Sequence, residues 1–170
     1  MDVNRETTKA FTMNPDIAIV NYRSHHQSDF ERLNRQWIEK YFWMEPIDQE
    51  VLQNPESHIL ATGGHIFMAE FQNQVVGTVA LKWVSNQQYE FTKMAVEEKF
   101  QGLKIGYTLA KEAIEFCRKQ KVEQIILYSN TRLAPAIKLY QKLGFYEVPL
   151  DGPYKRSNIK MQLDLNLSPA

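Results

Sequence analysis

Lys93-Met94-Ala95-Val96, followed by Phe100-Gln101-Gly102-Leu103-Lys104-Ile105-Gly106, is the stretch that decides the fold. Tyr89 to Val96 reads as a strand: it is rich in aromatic and apolar residues and lacks proline. A short loop follows. A glycine-containing turn then opens a long amphipathic helix, expected from Leu103 to about Lys119, with Leu103, Tyr107, Ala110, Ile114 and Cys117 on one stripe. A helix that starts this way presents backbone N–H groups without intrahelical partners, which is a ready site for a phosphate or pyrophosphate.

Working outward toward the N-terminus, Gly63-Gly64 precedes a strand from Ile66 to Phe71. Asn73 marks a tight turn into a second arm, Val75 to Trp83, where Gly77 suggests a bulge. Ile17 to Tyr22 is a β-branched first strand. Ser28 or Asp29 is placed to cap a helix reaching about Phe42, with Phe30, Leu33, Trp37 and Tyr41 at helical spacing. A short acidic helix over Glu45 to Leu52 ends before Pro55. Residues 1–15 read as a loose tail, and 16–166 as one domain.

Toward the C-terminus, Gln124 to Tyr128 is a short apolar strand suited to burial on both faces. A helix spans about Leu133 to Leu143, with Pro135 in its first turn and Gly144 as the residue that ends it. Phe145 to Val148 and Asn158 to Leu165 are the last strands, joined through the turn Asp151-Gly152-Pro153. This alternation makes a mixed α/β, or α+β, single domain.

Composition bounds the function. The 170 residues are 44% hydrophobic and 24% charged, with a formal net charge of zero. A neutral chain lacks the basic surface that phosphate backbones demand, so no nucleic-acid partner is expected. No run approaches the roughly 20 apolar residues of a membrane span. The first dozen residues do not read as a signal peptide, and the single cysteine, Cys117, rules out an intramolecular disulfide. A soluble cytoplasmic protein is the expectation. His25, His26, His58 and His65 are scattered without metal-ligand spacing, so no metal is expected.

Four segments together resemble the GCN5-related N-acetyltransferase (GNAT) superfamily over about residues 16–166. They are Glu90-Phe91-Thr92-Lys93-Met94-Ala95-Val96, the loop Gln101 to Gly106, the strand end Leu127-Tyr128-Ser129-Asn130, and Ala136-Ile137-Lys138-Leu139-Tyr140-Gln141-Lys142-Leu143-Gly144-Phe145. The resemblance implies an acyl-CoA N-acyltransferase fold: a central, mostly antiparallel sheet of six to seven strands flanked by about four helices. One departure stands out. The family's phosphate loop places a glycine where this chain has Lys104, so the backbone must reach its cradling shape with a side chain present. Lys104 either adds positive charge near a phosphate or is a solvated lysine of the first helical turn.

The resemblance also implies the chemistry: an acetyl group passes from acetyl-CoA directly to an amine, with no covalent acyl-enzyme. Gln101, Gly102, Leu103, Lys104, Ile105 and Gly106 would meet the pyrophosphate. The backbone of Met94, Ala95 and Val96 would pair with the pantetheine arm as with an added strand, and Asn130 would contact CoA or cap a helix. An alkylammonium, with its pKa of about 10.4, must lose a proton before it attacks. Glu90 matches a glutamate used as base by some relatives; it is otherwise a charged strand-edge residue. Tyr140 matches the usual acid for the leaving thiolate; it is otherwise a packed core tyrosine. Trp37, Tyr41 and Glu45, with Phe42, Trp43, Asp48 and Glu50 nearby, would shape an acceptor pocket in which aromatics and acids hold a cationic amine. A small-molecule primary amine is the expected acceptor. A protein or peptide amine, or acyl-CoA binding without turnover, are the alternatives. Homodimers are common among relatives, but no feature of this sequence specifies one.

Overall fold

The computed structural model describes residues 16–165, so the tail expected over 1–15 lies outside the described residues. Seven strands, β1 (Ile17–Asn21), β2 (His65–Phe71), β3 (Gln74–Ser85), β4 (Gln88–Val96), β5 (Gln124–Ser129), β6 (Tyr146–Val148) and β7 (Ile159–Asp164), form one sheet in the order β1-β2-β3-β4-β5-β7-β6. Every neighbouring pair is antiparallel except β4 with β5. The helices are α1 (Gln27–Tyr41), α2 (Pro46–Gln53), α3 (Ile105–Lys119) and α4 (Ala134–Lys142). This agrees with the expected mixed fold.

Two apolar clusters hold the layers together. The larger joins β-strand residues such as Phe67, Val79, Phe91 and Leu127 to Ile105, Leu109, Ala113 and Cys117 of α3 and to Tyr140 of α4. The smaller lies under α1 and α2, where Phe30, Ile38 and Leu52 meet Ile66, Met68 and Ala80. Successive residues of a strand face opposite sides of a sheet. Tyr89 and Phe91 therefore serve the larger core, and Glu90 between them faces the other side.

Local chemistry explains most boundaries. Gln72 and Asn73 both take positive φ (52° and 60°), which closes the two-residue β2–β3 hairpin. The pairing jumps from Ala69↔Gly77 to Glu70↔Val75, so an extra residue bulges beside Gly77 as expected. A Cβ on Gly77 would lie 3.0 Å from both Ile105 and Leu109, which shows how closely α3 lies on β3. Gly144 ends α4 at φ 104°.

Two expectations need correction. The first is the start of α1: it is set by neither Ser28 nor Asp29 but by the turn Ser24–His26, where the Arg23 N–H donates to His26 Nδ1 (2.9 Å) and the His26 N–H to the Arg23 carbonyl (2.8 Å). The second is the stripe on α3. Lys104 sits in the left-handed region (φ 62°, ψ 27°), so the helix cannot include Leu103 and begins at Ile105. The buried face becomes Ile105, Leu109, Ala110, Ala113, Ile114 and Cys117, and Tyr107 turns away from it.

Candidate active site

Strands β4 and β5 pair only from Gln88↔Gln124 to Phe91↔Leu127. Beyond that point β5 continues against β7, and β4 continues against β3 alone. The strands part, and a cleft of about 890 Å³ opens between them. Its walls include Met94, Ala95 and Val96, whose backbone edge away from β3 has no strand partner among the described strands. A bulge puts Lys93 and Met94 opposite the single residue Val79, with Lys93 at φ 55°.

At one end of the cleft stands the N-terminus of α3. Its first intrahelical bond is donated by the Thr108 N–H to the Lys104 carbonyl (3.0 Å), so the N–H groups of Ile105, Gly106 and Tyr107 precede it and remain for an anion. No acid lies in that first turn. A Cβ on Gly106 would point into the gap between Val96, Met94 and Leu139 (3.7–4.0 Å), space that glycine leaves open. Lys142 lies over the Tyr107 ring (5.7 Å), and both it and Lys104 line the cleft, adding positive charge at this end. Gln101, Gly102, Lys104, Ile105 and Gly106 all line the cleft as expected; Leu103 does not, and packs instead against the larger core. These features fit a pyrophosphate at the helix end and an amide-bearing arm along β4.

Midway, Glu90 and Tyr140 face the cleft from opposite sides of β4. Tyr140 is held by edge-to-face contacts with Phe91 (5.8 Å) and Phe145 (6.0 Å), and its hydroxyl has no protein hydrogen-bond partner among the described residues. Burial pushes that hydroxyl well above the ordinary tyrosine range, so it stays protonated at neutral pH. Glu90 is 6% exposed. Both its carboxylate oxygens accept from the Tyr154 hydroxyl (2.9 and 3.2 Å). Burial raises its carboxyl above the usual range, against the downward pull of that hydrogen bond and of Lys82, Lys93 and Lys160.

The far end is built by α1, α2 and the loop between β6 and β7. Trp37 and Tyr41 line the cleft as expected, joined by Phe42. The expected acids do not. Glu45 caps α2: its side chain receives the Asp48 N–H and its own N–H donates to Asp48 Oδ2 (2.9 Å). Asp48, 4% exposed, is taken by a two-pronged pair with Arg156 (2.7 Å twice), and Glu50 faces His58. Asn130 lines the cleft but caps no helix; its side chain accepts from the Arg132 N–H and donates to the Arg156 carbonyl (2.8 Å), tying two loops. Cys117 is core, and burial pushes its thiol up to about 12.

Sequence reasoning missed Tyr154 and Arg156. Both lie in an irregular stretch without helical or strand period, read only as a turn around Gly152. The one available signal was an aromatic residue and a lysine–arginine pair crowded into a connection between short strands.

Against known proteins, the acetyltransferase (GNAT) family model matches residues 21–145. The curated relatives include N-acetyltransferase 8 of Mus musculus, 27% identical over 95 residues that cover 53% of this chain and 42% of the relative. The chain spans about half the length of the curated relatives it matches, 58% and 42% for the first two. Among solved structures, a GNAT-family acetyltransferase from Staphylococcus aureus Mu50 superimposes with TM-score 0.81 at 24% identity, over 88% of this chain and 99% of that one. The PaiA N-acetyltransferase of Thermoplasma acidophilum, solved with coenzyme A, gives TM-score 0.70 at 18% identity, over 87% and 98%. With a family model covering most of its length and the same fold in these neighbours, the chain belongs to the GNAT family of acetyltransferases.

Proposed function

We propose that this protein transfers the acetyl group of acetyl-CoA to the primary amine of a small molecule, directly, with both substrates in the cleft. One observation carries the reading. The parting of β4 and β5 joins an unpaired strand edge to a helix N-terminus, with a buried carboxylate and a tyrosine hydroxyl without a protein partner among the described residues on opposite faces between them.

Acetyl-CoA, when bound, supplies the activated acetyl group. Ile105, Gly106 and Tyr107 offer N–H groups to its pyrophosphate, and the free edge of Met94 to Val96 offers strand-like partners to its amides. Glu90 accepts the proton of the acceptor ammonium. Its raised pKa lies nearer that of an amine, which makes it a stronger base than an ordinary carboxylate. Tyr154 holds the carboxylate in place, since its hydroxyl donates to both oxygens. Tyr140 keeps its proton at neutral pH and so is available to donate to the departing sulfur. Trp37, Tyr41 and Phe42 wall the acceptor end, which favours a compact molecule over a peptide chain.

The test has two steps. A thermal-shift titration with acetyl-CoA reads the first: a ligand held only by the folded state adds about 2.7 kcal/mol at a hundredfold excess over Kd. Release of CoA thiol across a panel of small amines and lysine-bearing peptides reads the second. Turnover of small amines with peptides inert supports this reading; peptides turned over faster would move it to a protein acceptor. Tyr140→Phe is expected to slow the transfer by about a hundredfold and leave the acetyl-CoA titration unchanged. Full activity in that variant removes Tyr140 from the mechanism.

A further inference from the structure

The charges at the acceptor end are one-sided. Lys93 lines the cleft with no hydrogen bond or ion pair to its ammonium among the described residues. Arg132 also lines it, lies over the Phe42 ring (5.5 Å), and has no anionic partner for its guanidinium. Arg156 lies on the same ring (6.0 Å). Of the acids nearby, Asp48 gives both oxygens to Arg156, and Glu90 gives both to Tyr154. Glu90 serves the reacting amine, so an acceptor carrying a second ammonium would meet Lys93 and Arg132 with no further carboxylate open to it. A carboxylate there would instead gain an ion pair with partly buried Lys93 beside the aromatic walls of Trp37, Tyr41 and Phe42, where the attraction is less screened than in bulk water.

We propose that the acceptor is an amine that also bears a carboxylate, an amino acid or a close derivative, and that Lys93 determines this specificity by pairing with the carboxylate while the amine approaches Glu90. Arg132 adds to the field at the cleft mouth. The bulge at Lys93 is what permits this. Its positive φ turns the backbone out of the strand, and the side chain enters the cleft rather than either core. Burial pulls the Lys93 ammonium below the ordinary lysine range, and an incoming carboxylate would pull it back up.

This inference rests on the transfer reading above, and one experiment separates the two. The twenty α-amino acids, their methyl esters and the corresponding decarboxylated amines are offered to the full chain with acetyl-CoA, and thiol release is followed. The best amino acid is expected to exceed its ester and its decarboxylated amine in kcat/KM by about tenfold or more, through KM. The ester amine is less basic, so more of it is free base at neutral pH, and the free-base fraction cannot explain a preference for the acid over its ester. Lys93→Gln should bring the ratio near one, and Lys93→Arg should keep part of it, with the acetyl-CoA thermal shift intact in both. Turnover of decarboxylated amines or esters as good as the acids, or a ratio that survives Lys93→Gln, overturns this inference alone. No turnover across the whole panel overturns it together with the transfer to small amines.

Discussion

Glu90 is where activity and stability pull apart. Its carboxyl, raised by burial in the fold, titrates at the ordinary value of about 4.3 in the unfolded chain. The unfolded state therefore gives up that proton first as pH rises. The fold's advantage is complete below the ordinary carboxylate range and is lost as pH climbs from there through the raised value. Above that window an ionised Glu90 is a net cost. Glu90→Gln should accordingly unfold at the same temperature as the parent or higher at pH 8, since the amide oxygen still accepts from Tyr154, while thiol release falls about a hundredfold. The parent's kcat/KM should also rise with pH along a limb placed above that of a free carboxylate. A variant that loses stability and keeps activity would show Glu90 to be structural. Lys104 poses a different question, because its backbone already takes the conformation that a glycine adopts freely. Lys104→Gly should leave stability level or slightly raised, whereas the β-branched Lys104→Val should cost about 1–2 kcal/mol in urea unfolding. Equal losses in both would mean that the lysine side chain, not its backbone, holds the turn. Weaker acetyl-CoA binding in the glycine variant would assign its charge to the phosphate end.

Elements meet at places where no side chain fits, and Gly64 is the tightest of these. It joins the turn after Glu56–Leu60 to β2, and its N–H donates to the Ile59 carbonyl (2.8 Å). A Cβ there would lie 2.3 Å from the Leu81 carbonyl oxygen and 2.7 Å from that of Ile59, both backbone atoms of packed segments. Gly64→Ala must push β2 or β3 aside and is expected to cost about 3 kcal/mol, read as a lowered urea midpoint at unchanged slope. A loss below about 1 kcal/mol would mean that the connection yields easily. Such steric facts are partly legible in sequence. Gly63-Gly64 marks the start of a strand, Gly144 a helix end, and Asn73 a hairpin, because each signal is local. The start of α1 was not legible, since a histidine accepting a backbone N–H three residues back leaves no mark in hydrophobic period. The helix register of α3 was misread for a related reason: nothing in the apolar spacing reveals that Lys104 turns left-handed and excludes Leu103.

At the scale of the molecule, the cleft is completed by contacts between parts far apart in the chain, and there sequence reading falls short. The strand edge at Met94 to Val96, Tyr140 and, Leu103 apart, the loop Gln101 to Gly106 lie in local sequence patterns, and all of these line the cleft. Tyr154 and Arg156 act across 64 and 108 residues, from a connection with no period of its own. The Asp48–Arg156 pair is the strongest of these long links. It fastens α2, on one side of the sheet, to the loop before β7, and Arg156 also donates to the Trp43 carbonyl (2.9 Å). Asp48 is nearly inaccessible while Arg156 is partly open, so the two are not equivalent. Removing the arginine strands a carboxylate that water cannot reach; removing the aspartate leaves a guanidinium that can turn outward. Arg156→Met should therefore cost about 3 kcal/mol in urea unfolding. Adding Asp48→Asn, whose amide oxygen still accepts the Glu45 N–H, should recover most of that loss, because the stranded charge is gone. Costs that simply add in the double variant would mean that the two side chains are not energetically coupled. Thiol release in the double variant then reports on geometry alone: with one of the two cations on the Phe42 ring removed, the acceptor KM should rise while acetyl-CoA binding stays as it was.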